Sequence, residues 1–267
     1  MTRDVRAANE AAWNLVAAKF TPDVARDVEF LRSGGSSLLP VELDELPPLV
    51  SGCRRAIHLQ CSHGMDALSL WRLGAREIVG VDLAAEMLAL ARRKSDLLGA
   101  PAVWHHADVL SPPRELGGTA DLVYTGKGAL CWVSDLARWA EVVARLLAPG
   151  GHFYVFEGHP LNWLWEPEAA DLELRAGASY FDREPRPNRD FPGLWLEQAA
   201  RVGESPAQAF EHHWSLGEIV SALARAGMAL VSLREHAQDF WPQLPRVPAE
   251  RAGRMPHSFS LSMRAPA

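Results

Sequence analysis

Polar and apolar positions alternate along this chain with two distinct periods. Trp13, Val16, Ala17 and Phe20 fall on one face of a stretch over residues 8–20, which predicts an amphipathic helix. Val24, Val28 and Leu31 do the same over 23–31, and Gly34-Gly35 follows as a stop. Residues 36–52 are rich in Pro and Leu and read as a connector. From Arg55 the rhythm changes. Compact apolar runs at 55–60, 77–82, 102–106, 120–125 and 152–157 predict strands, and helical spacing at 65–74, 84–98 and 135–148 predicts helices between them. Pro149-Gly150-Gly151 reads as a sharp turn into the fifth strand. Such alternation predicts a parallel sheet with helices on both faces.

The rhythm breaks after Pro160. Residues 161–210 carry many Pro, Arg, Glu and Trp, with only short alternating pieces such as Ala176 to Asp182. A segment this long without a strong helix reads as a functional insertion. A helix at 215–226, a strand at 229–235 and a last strand at 257–264 then resume the sheet.

Composition narrows the field without choosing within it. Of 267 residues, 48% are hydrophobic and 22% charged, ordinary values for a globular enzyme with a core of normal size. The net charge of −6 gives no general attraction to nucleic acid or anionic lipid. Cys53, Cys61 and Cys131 are too few and too scattered for a disulfide framework, and Met1-Thr2-Arg3-Asp4 opens no apolar signal core. The expected setting is the cytoplasm, with no nucleic-acid or membrane partner, as monomer or homodimer.

Candidate chemistry sits at the strand ends. Ile57-His58-Leu59-Gln60-Cys61-Ser62-His63-Gly64 places a strand-to-helix turn where open α/β sheets bind ligands. Only Gly64 remains of a dinucleotide glycine pattern, which disfavours a pyrophosphate. Asp82 closes the second strand, where a carboxylate can accept both hydroxyls of a ribose; alternatively it caps the next helix. Asp108 follows the third strand, where it can receive an adenine amino group between Leu83 and Val109, or simply initiate a loop. No Cys or His spacing resembles a metal site, since the adjacent pairs His105-His106 and His212-His213 point to opposite faces of extended segments. Lys127, between Gly126 and Gly128, lacks a phosphate-loop context and reads as a solvated or pocket-edge lysine.

The set HLQCSHG, GVD, HADVL, DLVYTGKGALCWV and LLAPGGHFYVFEGHP resembles the class I S-adenosylmethionine-dependent methyltransferases, in a bacterial small-molecule branch with HLQC in the first strand. The resemblance is firm over 55–160. It implies a doubly wound, Rossmann-like, seven-stranded α/β sheet: five parallel strands, then a pair whose last strand is antiparallel. It divides the single domain into a helical lid (1–52), a cofactor-binding core (53–160), a substrate cap (161–210) and the end of the sheet (211–267). It implies S-adenosyl-L-methionine as cofactor, with Gln60, Cys61 and Gly64 along its methionine part, Asp82 on the ribose, and Leu83, Asp108 and Val109 on the adenine. Thr125 and Gly126 would border the transferred methyl group, Met87 joins the cofactor set, and Trp13 with Phe20 would fold over it as a lid. His58 departs from the pattern, because most of the wider family carries an acid there.

The implied reaction is methyl transfer to oxygen, nitrogen or sulfur of a small-molecule metabolite. Proximity and orientation supply most of the rate, and a base is needed only for an acceptor that starts protonated. His159, just past the fifth strand, is the candidate base; otherwise it positions its neighbours. Trp163, Trp165 and Trp195 of the insertion either glue the cap to the sheet or line an aromatic pocket. The rival readings are cofactor-dependent cyclisation or other chemistry, a cofactor sensor without turnover, and a nucleotide-linked dehydrogenase.

Overall fold

In the computed structural model, residues 5–188, 208–240 and 242–267 are described. Five strands, β1 (Arg55–Leu59), β2 (Glu77–Asp82), β3 (Ala102–His106), β4 (Ala120–Gly126) and β5 (Leu147–Gly158), pair in parallel. A two-stranded ribbon, β6 (Arg186–Asn188) with β7 (Ala209–Glu211), stands apart from them. β8 (Ala229–His236) and β9 (Ser258–Arg264) complete a seven-stranded sheet of order β3-β2-β1-β4-β5-β9-β8, in which β9 runs antiparallel to both neighbours. The order reverses between β1 and β4, and the crevice above that reversal is where this architecture takes ligands.

Period-2 alternation divides the strand residues between two cores. Ile57, Leu59, Val123, Phe153 and Val155 face α7 (Leu136–Leu146) and α8 (Leu216–Arg225). Ala56, Leu122, Tyr124, Tyr154 and Phe156 face α5 (Met65–Leu73) on the other side. Both helices of the first group start on designed-looking caps: Asp135 accepts the Arg138 amide, and Ser215 and Glu218 form a reciprocal capping box.

The N-terminal helices α1 (Val5–Phe20) and α2 (Val24–Arg32) dock on α6 (Ala85–Leu98). Asn14 accepts the Glu86 amide at the start of α6, and the fully buried Lys94 ammonium sits 2.8 Å from Asp27 of α2. The expected connector at 36–52 is instead two short helices, α3 (Pro40–Glu45) and α4 (Pro47–Val50). Each opens with proline, whose fixed φ suits a first helical turn. A last short helix, α9 (Ala249–Ala252), precedes β9.

Two further expectations change. Pro149-Gly150-Gly151 lies within β5, at a shift in its register with β4, rather than in a turn before it. Ala176 to Asp182 forms turns and not a strand. The described part of the insertion comprises a 3₁₀ turn over Pro160–Leu164, a bridge between Trp165 and Leu174, and the β6–β7 ribbon. Trp195 lies outside the described residues.

Candidate functional site

Two cavities meet above the β1–β4 reversal. The loop after β1 is bent by left-handed residues at Gln60 (φ 57°), Ser62 (φ 48°) and Gly64 (φ 84°). The loop after β4 is bent likewise at Lys127 (φ 56°) and Gly128 (φ 92°). Left-handed backbone is uncommon outside glycine and costs free energy, so three such non-glycine residues facing one crevice mark a built site. Gln60, Gly126 and Lys127 line both cavities and form the sill between them.

The first cavity is a narrow cleft walled by Trp13, Gln60, Asp82, Leu83, Asp108 and Val109, among others. Of the two roles foreseen for Asp82, the bonds within the chain fill the one at the start of α6. Asp82 Oδ1 accepts the Ala84 amide at 2.8 Å, capping α6, and its Oδ2 accepts the Ser62 amide at 2.7 Å, tying the β1 loop to β2. Burial pushes its carboxyl upward, while the backbone amides of Ala84 and Ser62 oppose that shift. Asp108 Oδ1 accepts the Leu110 amide at 2.8 Å, and its Oδ2 has no hydrogen-bond partner among the described residues. A carboxylate has about four lone-pair positions, so both acids retain acceptor capacity toward the cleft.

Helix α1 is fixed over this cleft at two points. Trp13 meets Trp132 edge-to-face with centroids 5.6 Å apart. Asn9 pairs with β7 as a strand would, donating to the Phe210 carbonyl at 3.0 Å and accepting its amide at 2.7 Å. Beneath them, buried Glu157 gathers the amides of Gly128, Ala129, Leu130 and Gly158, which shapes the β4 loop. Sequence reasoning missed Glu157; an acid closing an otherwise apolar fifth strand was the available signal.

The second cavity, about 330 Å³, opens on the α5 side and includes His58, Cys61, Gly64, Asp66 and Phe240. Under it lies an ionic cluster. Lys127 Nζ stands 2.6 Å from Asp66 Oδ1, 3.0 Å from the Ser37 carbonyl and 3.5 Å from Glu42 Oε2. Tyr124 and the Leu39 amide also donate to fully buried Glu42. Burial pushes the Glu42 carboxyl up against the pull of Lys127, and it holds the His58 ring down to about 4, hence neutral. The pocket-edge reading of Lys127 thus holds, with its ammonium turned inward.

Other expected residues fall elsewhere. Thr125 is buried and donates to the Leu59 carbonyl at 3.0 Å, stitching β4 to β1 without lining either cavity. Met87 is buried between α6 and α1 and supports Ser62 from below at 3.8 Å. His159 lies off both cavity walls with both ring nitrogens engaged. Its Nδ1 accepts the Leu161 amide, so Nε2 carries the proton and donates to Glu235 at 2.9 Å. Burial lowers the affinity of this ring for a second proton, against the hydrogen bond it donates to Glu235. His212 and His213 are buried, His213 against Trp163, and no cluster among the described residues could hold a metal.

Residues 56–151 match the methyltransferase domain family. The chain is 31% identical over 140 residues to a ubiquinone biosynthesis O-methyltransferase of Sodalis glossinidius, covering 51% of this chain and 55% of that one. It is 35% identical over 108 residues to a demethylmenaquinone methyltransferase of Thermus thermophilus, covering 40% and 48%. The alignments thus span about half the length of these curated relatives. The fold is shared with an S-adenosylmethionine-dependent methyltransferase from Mesorhizobium loti, at a TM-score of 0.58 and 24% identity over 83% of this chain and 99% of that one.

Proposed function

We propose, from the premise that this chain carries a class I S-adenosylmethionine-dependent methyltransferase domain, that it transfers a methyl group to a small-molecule acceptor. One observation carries the reading: Asp82 and Asp108, at the ends of adjacent strands, hold spare acceptor positions on one apolar-walled cleft at the sheet's reversal.

The residues present fit the cofactor. Asp82 accepts one backbone amide on each oxygen, which leaves a lone pair on each for two vicinal ribose hydroxyls. The unpaired Asp108 Oδ2 suits an adenine amino group, with Leu83, Val109 and Trp13 supplying flat apolar walls. Gln60 and Gly126 lie where the chain of the ligand would leave the ribose. When bound, S-adenosylmethionine supplies an electrophilic methyl group on a sulfonium. The protein's part is then to orient, to enclose and to exclude water. Glu157 and Thr125 hold the sill rigid, and Trp13, Asn9 and the ribbon cover the cleft. Proximity and orientation of this kind can lower a barrier by about 7–11 kcal/mol.

In this reading His159 positions the β5–β8 edge through Glu235 and does not take the acceptor's proton. The acceptor arrives over oxygen, nitrogen or sulfur from the side of the insertion, whose length favours a metabolite over a polymer.

Titration calorimetry with S-adenosylhomocysteine and, separately, NADH tests the reading. Micromolar binding of the first alone, weakened at least about a hundredfold in Asp82→Ala, is the expected result. Folded protein that binds neither, or that prefers NADH, would remove it.

A further inference from the structure

A third cavity, of about 550 Å³, lies away from the two at the sheet's reversal, between α7 and the crossover from β3 to β4. A parallel crossover usually carries a full helix, which covers the sheet as the chain returns. This one has only a 3₁₀ turn, Arg114–Leu116, and the loop and α7 face each other across a trough. Its lining is Ser111, Pro112, Arg114, Gly117, Arg138 and Arg145, with three arginines and no acid. Arg138 and Arg145 stand seven residues apart, about two turns, and so look out from one face of α7. Each is held by the loop: Arg138 Nε donates to the Leu110 carbonyl at 3.1 Å, and Arg145 to the Pro112 carbonyl at 3.3 Å. Gly117 lets the loop lie close, since a Cβ there would stand 3.4 Å from an Arg145 nitrogen.

Stitching the loop to the helix accounts for little of this charge. A guanidinium has five N–H donors. Arg145 spends one of them, and the Arg114 side chain donates to nothing among the described residues. Arg138 alone of the three faces a carboxylate, Glu141 at 3.0 Å, and that acid is exposed on α7 and does not line the cavity. Cations sharing a concave wall repel one another, and an anion seated between them relieves that repulsion. Their planar N–H forks match the oxygens of a phosphate group two at a time. We propose that this cavity binds the phosphate group of a small soluble ligand through Arg114, Arg138 and Arg145. Its concavity and volume suit a small molecule, and the net charge of −6 on the whole chain opposes a nucleic acid or an anionic membrane. The three arginines line neither cavity at the sheet's reversal, so this binding does not rest on the proposed cofactor.

Calorimetric titration with pyrophosphate and with inorganic phosphate, at constant ionic strength in potassium chloride, tests the site in wild type, Arg114→Gln, Arg145→Gln and Arg93→Gln. Arg93 is exposed on α6 and controls for the loss of any one positive charge. Circular dichroism checks folding, and Arg114→Gln, which breaks no side-chain bond among the described residues, carries the test if Arg145→Gln does not fold. Wild type is also titrated with phosphatidylglycerol vesicles and with a single-stranded oligonucleotide. The expected result is saturable pyrophosphate binding that weakens at least about tenfold in both cavity variants and is unchanged in Arg93→Gln. No saturable binding of either phosphate, or binding that Arg114→Gln retains in full, overturns the site. Equal weakening in Arg93→Gln shows only the overall charge of the protein at work and overturns it as well. Vesicles or oligonucleotide bound more tightly than pyrophosphate would make the trough a docking surface and remove the small ligand.

Discussion

The cleft and the cavity on either side of Gln60 are built on opposite electrostatic plans. In the cleft, each carboxylate is anchored by backbone amides and looks out on apolar walls. In the cavity, carboxylates are anchored by a lysine, and the wall itself is charged. The first plan reads a ligand by shape and hydrogen-bond direction, and it tolerates neutral ligands. The second reads charge. A ligand spanning the sill would meet both in turn, and so would be selected twice by unrelated criteria.

Breaking the charged side produces the largest effect. Lys127→Met leaves Asp66 and Glu42 facing each other without their shared cation, and removing one partner of a buried pair typically costs about 3–5 kcal/mol. Urea denaturation of this variant at neutral pH is expected to show that loss. A loss under about 1 kcal/mol would mean the cluster is as hydrated as a surface pair.

The same side makes the protein acid-sensitive. His58 has its affinity for protons lowered by burial, from 6.5 to about 4. Between those values the unfolded chain holds a proton that the folded ring refuses. Stability present above pH 6.5 therefore falls as pH drops, by about 3 kcal/mol at pH 4 from this ring, and levels off below it. Denaturation midpoints at pH 7, 5.5 and 4.5 should fall more steeply in wild type than in His58→Leu. Equal slopes would show that the ring titrates in the fold as in water.

The smallest effect belongs to helix α1 on the neutral side. Asn9→Ala removes two hydrogen bonds to the Phe210 backbone and should cost about 1–2 kcal/mol. Hydrogen exchange at the Phe210 amide should accelerate with little change elsewhere in the sheet. Unchanged exchange would detach α1 from the ribbon.

The two sides also differed in how far the sequence revealed them. The cleft was legible because strand periodicity located the ends of β2 and β3, and an acid at a strand end has few roles. Asp82 and Asp108 stand there as expected, together with Leu83, Val109, Gln60 and Trp13. Thr125 and Met87 were assigned to the same wall, but a residue's side at a strand end or on a helix turns on local twist, and both turn inward. The cavity was legible only along the loop after β1, where Gln60, Cys61 and Gly64 stood out, and its charged cluster was not. Ser37 comes from the loop after α2, Glu42 from a helix hidden in a proline-rich stretch, and Phe240 from beyond β8. No periodicity links them. Lys127 could be placed at a rim, but the acids that turn it inward are distant in sequence, and only the tertiary structure brings them together.

The place of β9 between β5 and β8 has a consequence for how the chain emerges during synthesis. β8 is made first, yet its only partner among the described strands is the one made after it. Until β9 arrives, β5 presents an open edge, and Leu230, Val231 and Leu233 of β8 have no sheet to join. Contacts between strands far apart in sequence form slowly, and open apolar edges recruit other chains while they wait. Between the synthesis of β8 and that of β9, two strand edges thus stand without the neighbour that joins them.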